Sequence, residues 1–252
     1  MVAHSPTRLG MLTPSSNTAL EPLTSAMVAS MTDVSAHFSR FRVTQIGLSP
    51  TALGQFAQDG LLAAADLLAD ARAAVIAWNG TSAAWMGFEQ DEALCAAITA
   101  RTGIPASTSI LAYRELFLAH GFRRIGLVTP YLDDVQDAIL TNWNTPDFSC
   151  TAERHLGLSV NFSFAEVTES EIAGMVRAVA AEGCDAVAIV CTNLKGSAVA
   201  PGLEREIGIP VLDSISVTLW KSLLLAGRDP RELRAWGGPF ALEPARQGEK
   251  VE

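Results

Sequence analysis

The chain has 252 residues, 49% of them apolar, and a formal net charge of −9. This length suits one large domain or two small ones with a sizeable core. The acidic balance denies the chain the basic face that nucleic acid requires, and no uninterrupted apolar run of about 18 residues offers a membrane span, so neither partner is expected; a small anionic ligand needs only a few local donors and stays open.

The first apolar run, Arg8–Thr13, reads as a strand leading into a helix around Asn17 to Met31, and His37–Val43 as a second strand. Gln58–Arg72 carries apolar residues at three- and four-residue spacing and predicts a helix. Ala73–Trp78 is a short continuous apolar run ended by Asn79-Gly80, as in a strand buried on both faces. A helix at Glu89–Thr102, a strand at Gly103–Thr108 and a helix over Ser109–His120 closed by Gly121 follow. The order then restarts. Strands are predicted at Arg123–Pro130, Phe148–Leu158, Cys184–Val190 and Ile209–Ser214, with helices at Leu132–Trp143, Glu169–Gly183, Leu194–Gly208 and Ile215–Gly227. Alternating strands and helices imply parallel sheets covered by helices.

The two halves match in order. Arg8 and Arg124 lie 116 residues apart, Gly80 and Cys191 111 apart, and the similar segments starting at Thr102 and Ile207 105 apart. Slowly drifting offsets are what loop shortening after an internal duplication produces. The expectation is an α/β protein of two pseudo-twofold-related lobes, each a short parallel sheet flanked by helices, with the active site between them. The lobes divide as 1–120, with the C-terminal helix a candidate to complete the first, and 121–252.

Ligands of open parallel sheets bind beyond the carboxyl ends of the strands. Four such ends are rich in hydroxyl and amide side chains: Thr13–Thr18, Asn79–Trp85, Thr129–Asp134 and Cys191–Gly196. Each alone is ordinary helix capping. Four at equivalent places suit a carboxylate held by backbone N–H groups and side-chain donors. Cys191 ends its strand facing a helix start, where a thiol pKa can fall from ~8.5 to between ~3.5 and ~7.5 and the sulfur can serve as acid, base or nucleophile. Its counterpart Gly80 can do none of these. Cys95 and Cys184 read as small buried residues, and no cysteine spacing suits zinc or a C-x-x-C pair, so neither metal nor cofactor is expected. Phosphate-loop, dinucleotide and G-x-S-x-G motifs are absent. His4, His37, His120 and His155 are expected away from strand ends, leaving a thiol without an evident histidine base. Asp213, Asp133 and Asp134 are candidates for function or plain helix-dipole partners. Trp78, Trp85, Met86 and Phe88 read as packing residues that also set pocket size. With no charged region leading into an apolar one at the N-terminus, a cytoplasmic location is the default expectation.

At these strand ends, and over Leu9 to Gly227, the chain resembles the aspartate/glutamate racemase superfamily, in its branch of maleate cis-trans isomerases and arylmalonate decarboxylases. Leu9–Thr18 resembles the first-strand motif of the isomerases and Asn79–Gly87 the glycine loop of the decarboxylases, while Thr129–Val135 and Cys191–Ser214 resemble their tyrosine and second-cysteine segments. The resemblance implies that Cys191 delivers a proton to a carbanion or enediolate. It implies that Thr81, Ser82, Tyr131 and the backbone N–H groups of Thr192 and Asn193, beside Gly80, hold the carboxylate as charge builds, and that Asn17 binds a substrate carboxylate. The chain departs from the two-cysteine members at Gly80 or its neighbour Asn79, where their first thiol stands, and from the decarboxylases at Ser15-Ser16-Asn17-Thr18. The leading expectation is cofactor-independent, cysteine-dependent decarboxylation of a malonate-like diacid. The alternatives are an isomerase or racemase and a non-catalytic carboxylate binder. The substrate is a small mono- or dicarboxylate, and a homo-oligomer is allowed.

Overall fold

The computed structural model describes residues 6–243. The first half runs β1 (Thr7–Pro14), α1 (Leu20–Val28), β2 (Val34–Phe41), α2 (Pro50–Gly54), α3 (Gln58–Asp70), β3 (Val75–Trp78), α4 (Ala83–Met86), α5 (Phe88–Thr102), β4 (Ala106–Thr108) and α6 (Ser109–His120). The second half runs β5 (Arg124–Thr129), α7 (Asp133–Asn142), β6 (Ser149–His155), α8 (Glu169–Ala181), β7 (Ala186–Ile189), α9 (Gly196–Ile207), β8 (Val211–Asp213) and α10 (Ser214–Leu225), with short 3₁₀ turns at Asn161–Glu166, Pro230–Trp236 and Gly238–Phe240. Among the described residues, no helix is long and apolar enough to cross a membrane.

The two sheets have the same strand order, β2-β1-β3-β4 and β6-β5-β7-β8. Every pairing within them is parallel, as connections through helices require. The repeat seen in the sequence is thus a repeat of topology. The short inner strands β3 and β7 are buried at every position, which is why they read as unbroken apolar runs. Local signals set the ends. Thr168 and Glu171 form a reciprocal capping box at the start of α8, and Gly121 closes α6 at φ 66°.

The short helices α2 and α4 were not expected, several element ends shift by one to four residues, and two of the shifts have a clear local cause. β2 starts at Val34, paired with Thr7, and stops at Phe41. Val43 leaves the sheet because its N–H donates to Ser15 Oγ and the next N–H to Gln55 Oε1. α1 starts only at Leu20, because Asn17 Oδ1 accepts the N–H groups of Ala19 and Leu20 and caps the helix from outside it.

The last helix of each half crosses to the other half. Ile215, Leu219 and Leu223 of α10 share a buried cluster with Leu9, Met11 and Val75 of the first sheet. Tyr113 of α6 lies in the core of the second half, its hydroxyl donating to Ile189 O at 2.8 Å. The two helices meet through Ser109 Oγ and Thr218 Oγ1, 2.7 Å apart. This exchange fixes the carboxyl ends of both inner strands relative to each other.

Candidate active site

The four strand-end loops meet. Asn17 Nδ2 donates to Thr192 O and Oγ1 at 3.0 and 3.1 Å. Thr192 Oγ1 in turn donates to Asn79 O at 3.0 Å, and Thr81 Oγ1 lies 2.6 Å from the Tyr131 hydroxyl. Each contact joins one half to the other. At their centre is a cavity of about 20 Å³ bordered by Gly80, Thr81, Tyr131, Cys191 and Thr192. That volume holds about one water, so a carboxylate enters only if a wall moves aside.

Cys191 faces this cavity while only 3% exposed. Its sulfur accepts the Asn193 N–H at 3.3 Å. Burial pushes the thiol up to about 12, against the pull of the Asn193 N–H, the Tyr131 hydroxyl and the Leu194 N–H. The expected lowering of this pKa is corrected. The donors are present, but taking a thiolate out of water costs more than they return. The resting sulfur is a neutral S–H, the form that donates a proton. Tyr131 is likewise raised well above its ordinary value, first by burial and then by the sulfur beside it, so its hydroxyl keeps its proton.

The remaining expected residues separate into two groups. Gly80, Thr81, Tyr131 and Thr192 border the cavity with Cys191. Asn17 and Asn193 do not. Both Asn17 amide protons go to Thr192 and its oxygen caps α1. Asn193 Oδ1 accepts from the N–H groups of Thr18 and Ala19, and its Nδ2 donates to Asn161 O at 2.6 Å. The Asn193 N–H, expected to meet a carboxylate, points at the Cys191 sulfur. These two asparagines tie the loops together. Ser82 borders a second cavity, of about 30 Å³, with Trp78, Met86 and Asp91.

The space opposite Cys191 is filled by an indole. A Cβ placed on Gly80 would lie 1.8, 2.2 and 2.4 Å from Trp78 Cζ2, Cε2 and Cη2. Trp78 therefore folds back over its neighbour two positions on, into the volume of a residue-80 side chain. It packs on Phe41 and Phe56, at 5.0 and 6.5 Å between centroids. Trp85 stands edge-on to Tyr131 at 5.2 Å and borders the same cavity as Cys191, and its buried Nε1 has no hydrogen-bond partner among the described residues.

Sequence reasoning missed Val43, Ile46, Phe56 and Asn161, which also border the cavity. The first three sit on or beside the irregular stretch after β2, tied to the other half by Ile46 N–H to Ser159 O and Asn161 N–H to Thr44 O. No periodicity marks such a stretch. His155 also departs from expectation. It ends β6, where Glu153 and Asp133 flank its ring at 2.8 and 2.9 Å, but it does not border the cavity. Asp213 caps α10 by accepting from Ile215 and Ser216, and Asp133 and Asp134 sit in the first turn of α7.

The sequence pattern that defines the family described as "Arylmalonate decarboxylase" matches residues 9–236. An arylmalonate decarboxylase of Bordetella bronchiseptica is 30% identical over 171 residues, 67% of this chain and 71% of that protein. A maleate isomerase of Geobacillus stearothermophilus is 25% identical over 229 residues, 86% and 90% of the two chains. A Nocardia farcinica maleate cis-trans isomerase, solved as a cysteine-to-serine variant with a covalently bound succinylcysteine intermediate, superimposes with a TM-score of 0.82 at 21% identity, over 90% of this chain and 98% of that one.

Proposed function

The chain belongs to the arylmalonate decarboxylase family, and within it we propose a cofactor-independent decarboxylase of a malonate-like diacid, with Cys191 as the proton donor. The C–C bond to one carboxylate breaks and CO₂ leaves. The electron pair stays on the α-carbon and spreads onto the remaining carboxylate as an enediolate. The Thr81 and Tyr131 hydroxyls, paired at 2.6 Å on the cavity wall, supply a donor to that carboxylate as its charge grows. Aligned donors in a dry site are worth roughly 3 kcal/mol each. The Cys191 S–H bond then breaks, its proton forms the new C–H bond, and a proton from solvent restores the thiol.

One observation supports this reading: Cys191 and Gly80 border the same cavity, and the space over Gly80 is taken by the Trp78 indole. A single S–H serves protonation from one face. Racemisation by two bases needs a second group at residue 80, and nucleophilic addition needs a thiolate, which burial opposes. Isomerisation of a cis-alkene diacid is the second reading, favoured by the likeness to maleate isomerases over most of the chain. The test is Cys191→Ala assayed for CO₂ release from substituted malonates. A loss of at least 10²-fold is expected for a general acid; full turnover by the variant would end the mechanism. Solvent deuterium entering a bound acid without CO₂ release would favour the isomerase or racemase, and binding with neither would favour a carboxylate-binding protein.

A further inference from the structure

The cavity bordered by Cys191 and the cavity bordered by Ser82 and Asp91 share two walls, Phe56 and Trp78. One loop serves both, with Thr81 facing the first and Ser82 the second. Between them stands the indole folded over Gly80. At about 20 and 30 Å³, neither space alone holds a substituted diacid, and the Trp78 ring is a wall of both.

The second cavity has a polar end. Asp91 is 2% exposed, and its Oδ2 has no hydrogen-bond partner among the described residues. A buried polar atom left without a partner is costly and calls for a physical explanation. The residue sits in the first turn of α5, but a helix dipole is served equally well by an exposed carboxylate and gives no reason for burial. Gln58 and Gln90 border the same space with Asp91, as do Phe56, Leu61 and Leu94, so the compartment has both apolar and polar walls.

Resting on the reading of the Cys191 cavity as the reaction site, we propose that the Asp91 cavity is the far compartment of the substrate pocket. Trp78 sets how far an α-substituent reaches into it. Asp91 selects a substituent that ends in a hydrogen-bond donor, an ammonium or a hydroxyl group. The ligand class is a malonate-like diacid whose side arm is a short chain with a terminal donor. Trp78 is then the specificity-determining residue, and Asp91 the group that reads the end of the arm.

Two ratios test this. Methylmalonate, butylmalonate and aminopropylmalonate are compared by kcat/KM for CO₂ release, the last two being of equal length. Trp78→Ala is expected to raise the butyl-to-methyl ratio at least tenfold. Asp91→Asn, nearly isosteric, is expected to lower the aminopropyl-to-butyl ratio at least tenfold. An unchanged aminopropyl-to-butyl ratio in Asp91→Asn overturns the proposal, as does a Trp78→Ala variant that folds and leaves the size ratio unmoved. If the unaltered protein releases CO₂ from none of the three, the decarboxylase reading fails by itself. The compartment is then judged by calorimetric dissociation constants of pentanoate and its ω-amino analogue. A tenfold fall in preference for the amino compound in Asp91→Asn supports it, and no change overturns it.

Discussion

Gly80→Cys puts the steric account of the missing thiol to a direct test. The new Cβ falls 1.8 Å from Trp78 Cζ2, and ordinary contact begins at 3.4 Å, so the ring has to retreat by about 1.6 Å. It retreats into Phe41, Phe56 and the apolar packing of α3 and α5. Overpacking of this kind costs about 1–3 kcal/mol, and expelling the ring would cost about 3–5 kcal/mol. A loss of about 2–4 kcal/mol is therefore expected for the single variant by urea denaturation. The second half supplies the remedy. Ile189 stands 111 residues after Trp78, at the interval that separates Cys191 from Gly80. Trp78→Ile leaves room for a side chain at 80 and puts a β-branched residue, which suits a strand, in place of the indole. In that background Gly80→Cys is expected to cost little, which gives a favourable coupling of about 2–3 kcal/mol in the double-mutant cycle. Only the double variant, with a thiol on each side, is expected to racemise an α-substituted acid in deuterated solvent. Strict additivity, or a Gly80→Cys single variant as stable as the parent, would refute the claim that the indole holds that space.

Other outcomes follow from the same geometry. Tyr131→Phe removes a hydroxyl from the cavity wall and its bond to the Thr81 hydroxyl, so kcat for CO₂ release should fall about 10²–10³-fold while the fold persists, as steady-state rates and circular dichroism will show. Asn17→Ala should act on stability first, because its amide joins Thr192 to the start of α1; thermal unfolding should report a loss of about 2–3 kcal/mol. Asp91 and Asp213 are both pushed from 3.8 up to about 7 by burial. A folded-state pKa above the unfolded one means that the folded protein binds more protons between about pH 4 and 7, so stability falls as pH rises through that window and levels off above it. At 1.36 kcal/mol per pKa unit the effect is on the order of 4 kcal/mol for each carboxyl. Asp91→Asn should remove about half of the slope in urea titrations between pH 4 and 7, and an unaltered slope would contradict the placement of Asp91.

The parts of the fold that were legible in the sequence are those governed by local pattern. The inner strands announce themselves as apolar runs because both faces are covered, and the repeat shows because equivalent strands end in equivalent polar turns. The pocket walls were less legible for a physical reason. Val43, Ile46 and Phe56 come from a stretch whose conformation depends on partners far along the chain, at Ser159 and Asn161. Asn17 and Asn193 have the composition of ligand-binding residues. Only the folded structure reveals that their hydrogen-bonding groups are already taken, by the opposite loop and by neighbouring backbone. The thiol pKa was misjudged because a sequence displays donors but not desolvation.

The repeat carries more information than either half, because its two copies divide the same volume differently. At the inner strand ends one copy reads Trp78, Asn79, Gly80 and the other Ile189, Val190, Cys191. In the first, the large side chain comes two residues earlier and leaves none at the tip. In the second, a smaller side chain comes earlier and a thiol occupies the tip. The buried carboxyls are exchanged in the same manner. Asp91 on α5 meets the Thr108 hydroxyl at the end of β4, while Ser197 on α9 faces Asp213 at the end of β8. The pairs are 106 and 105 residues apart, so the carboxyl and the hydroxyl have traded places between helix and strand. Two halves of the same topology thereby line one cavity unequally, with a thiol at one inner strand end and a glycine under an indole at the other. In the proposed reaction, protonation from a single face would follow from where the bulk was placed as much as from where the sulfur was kept.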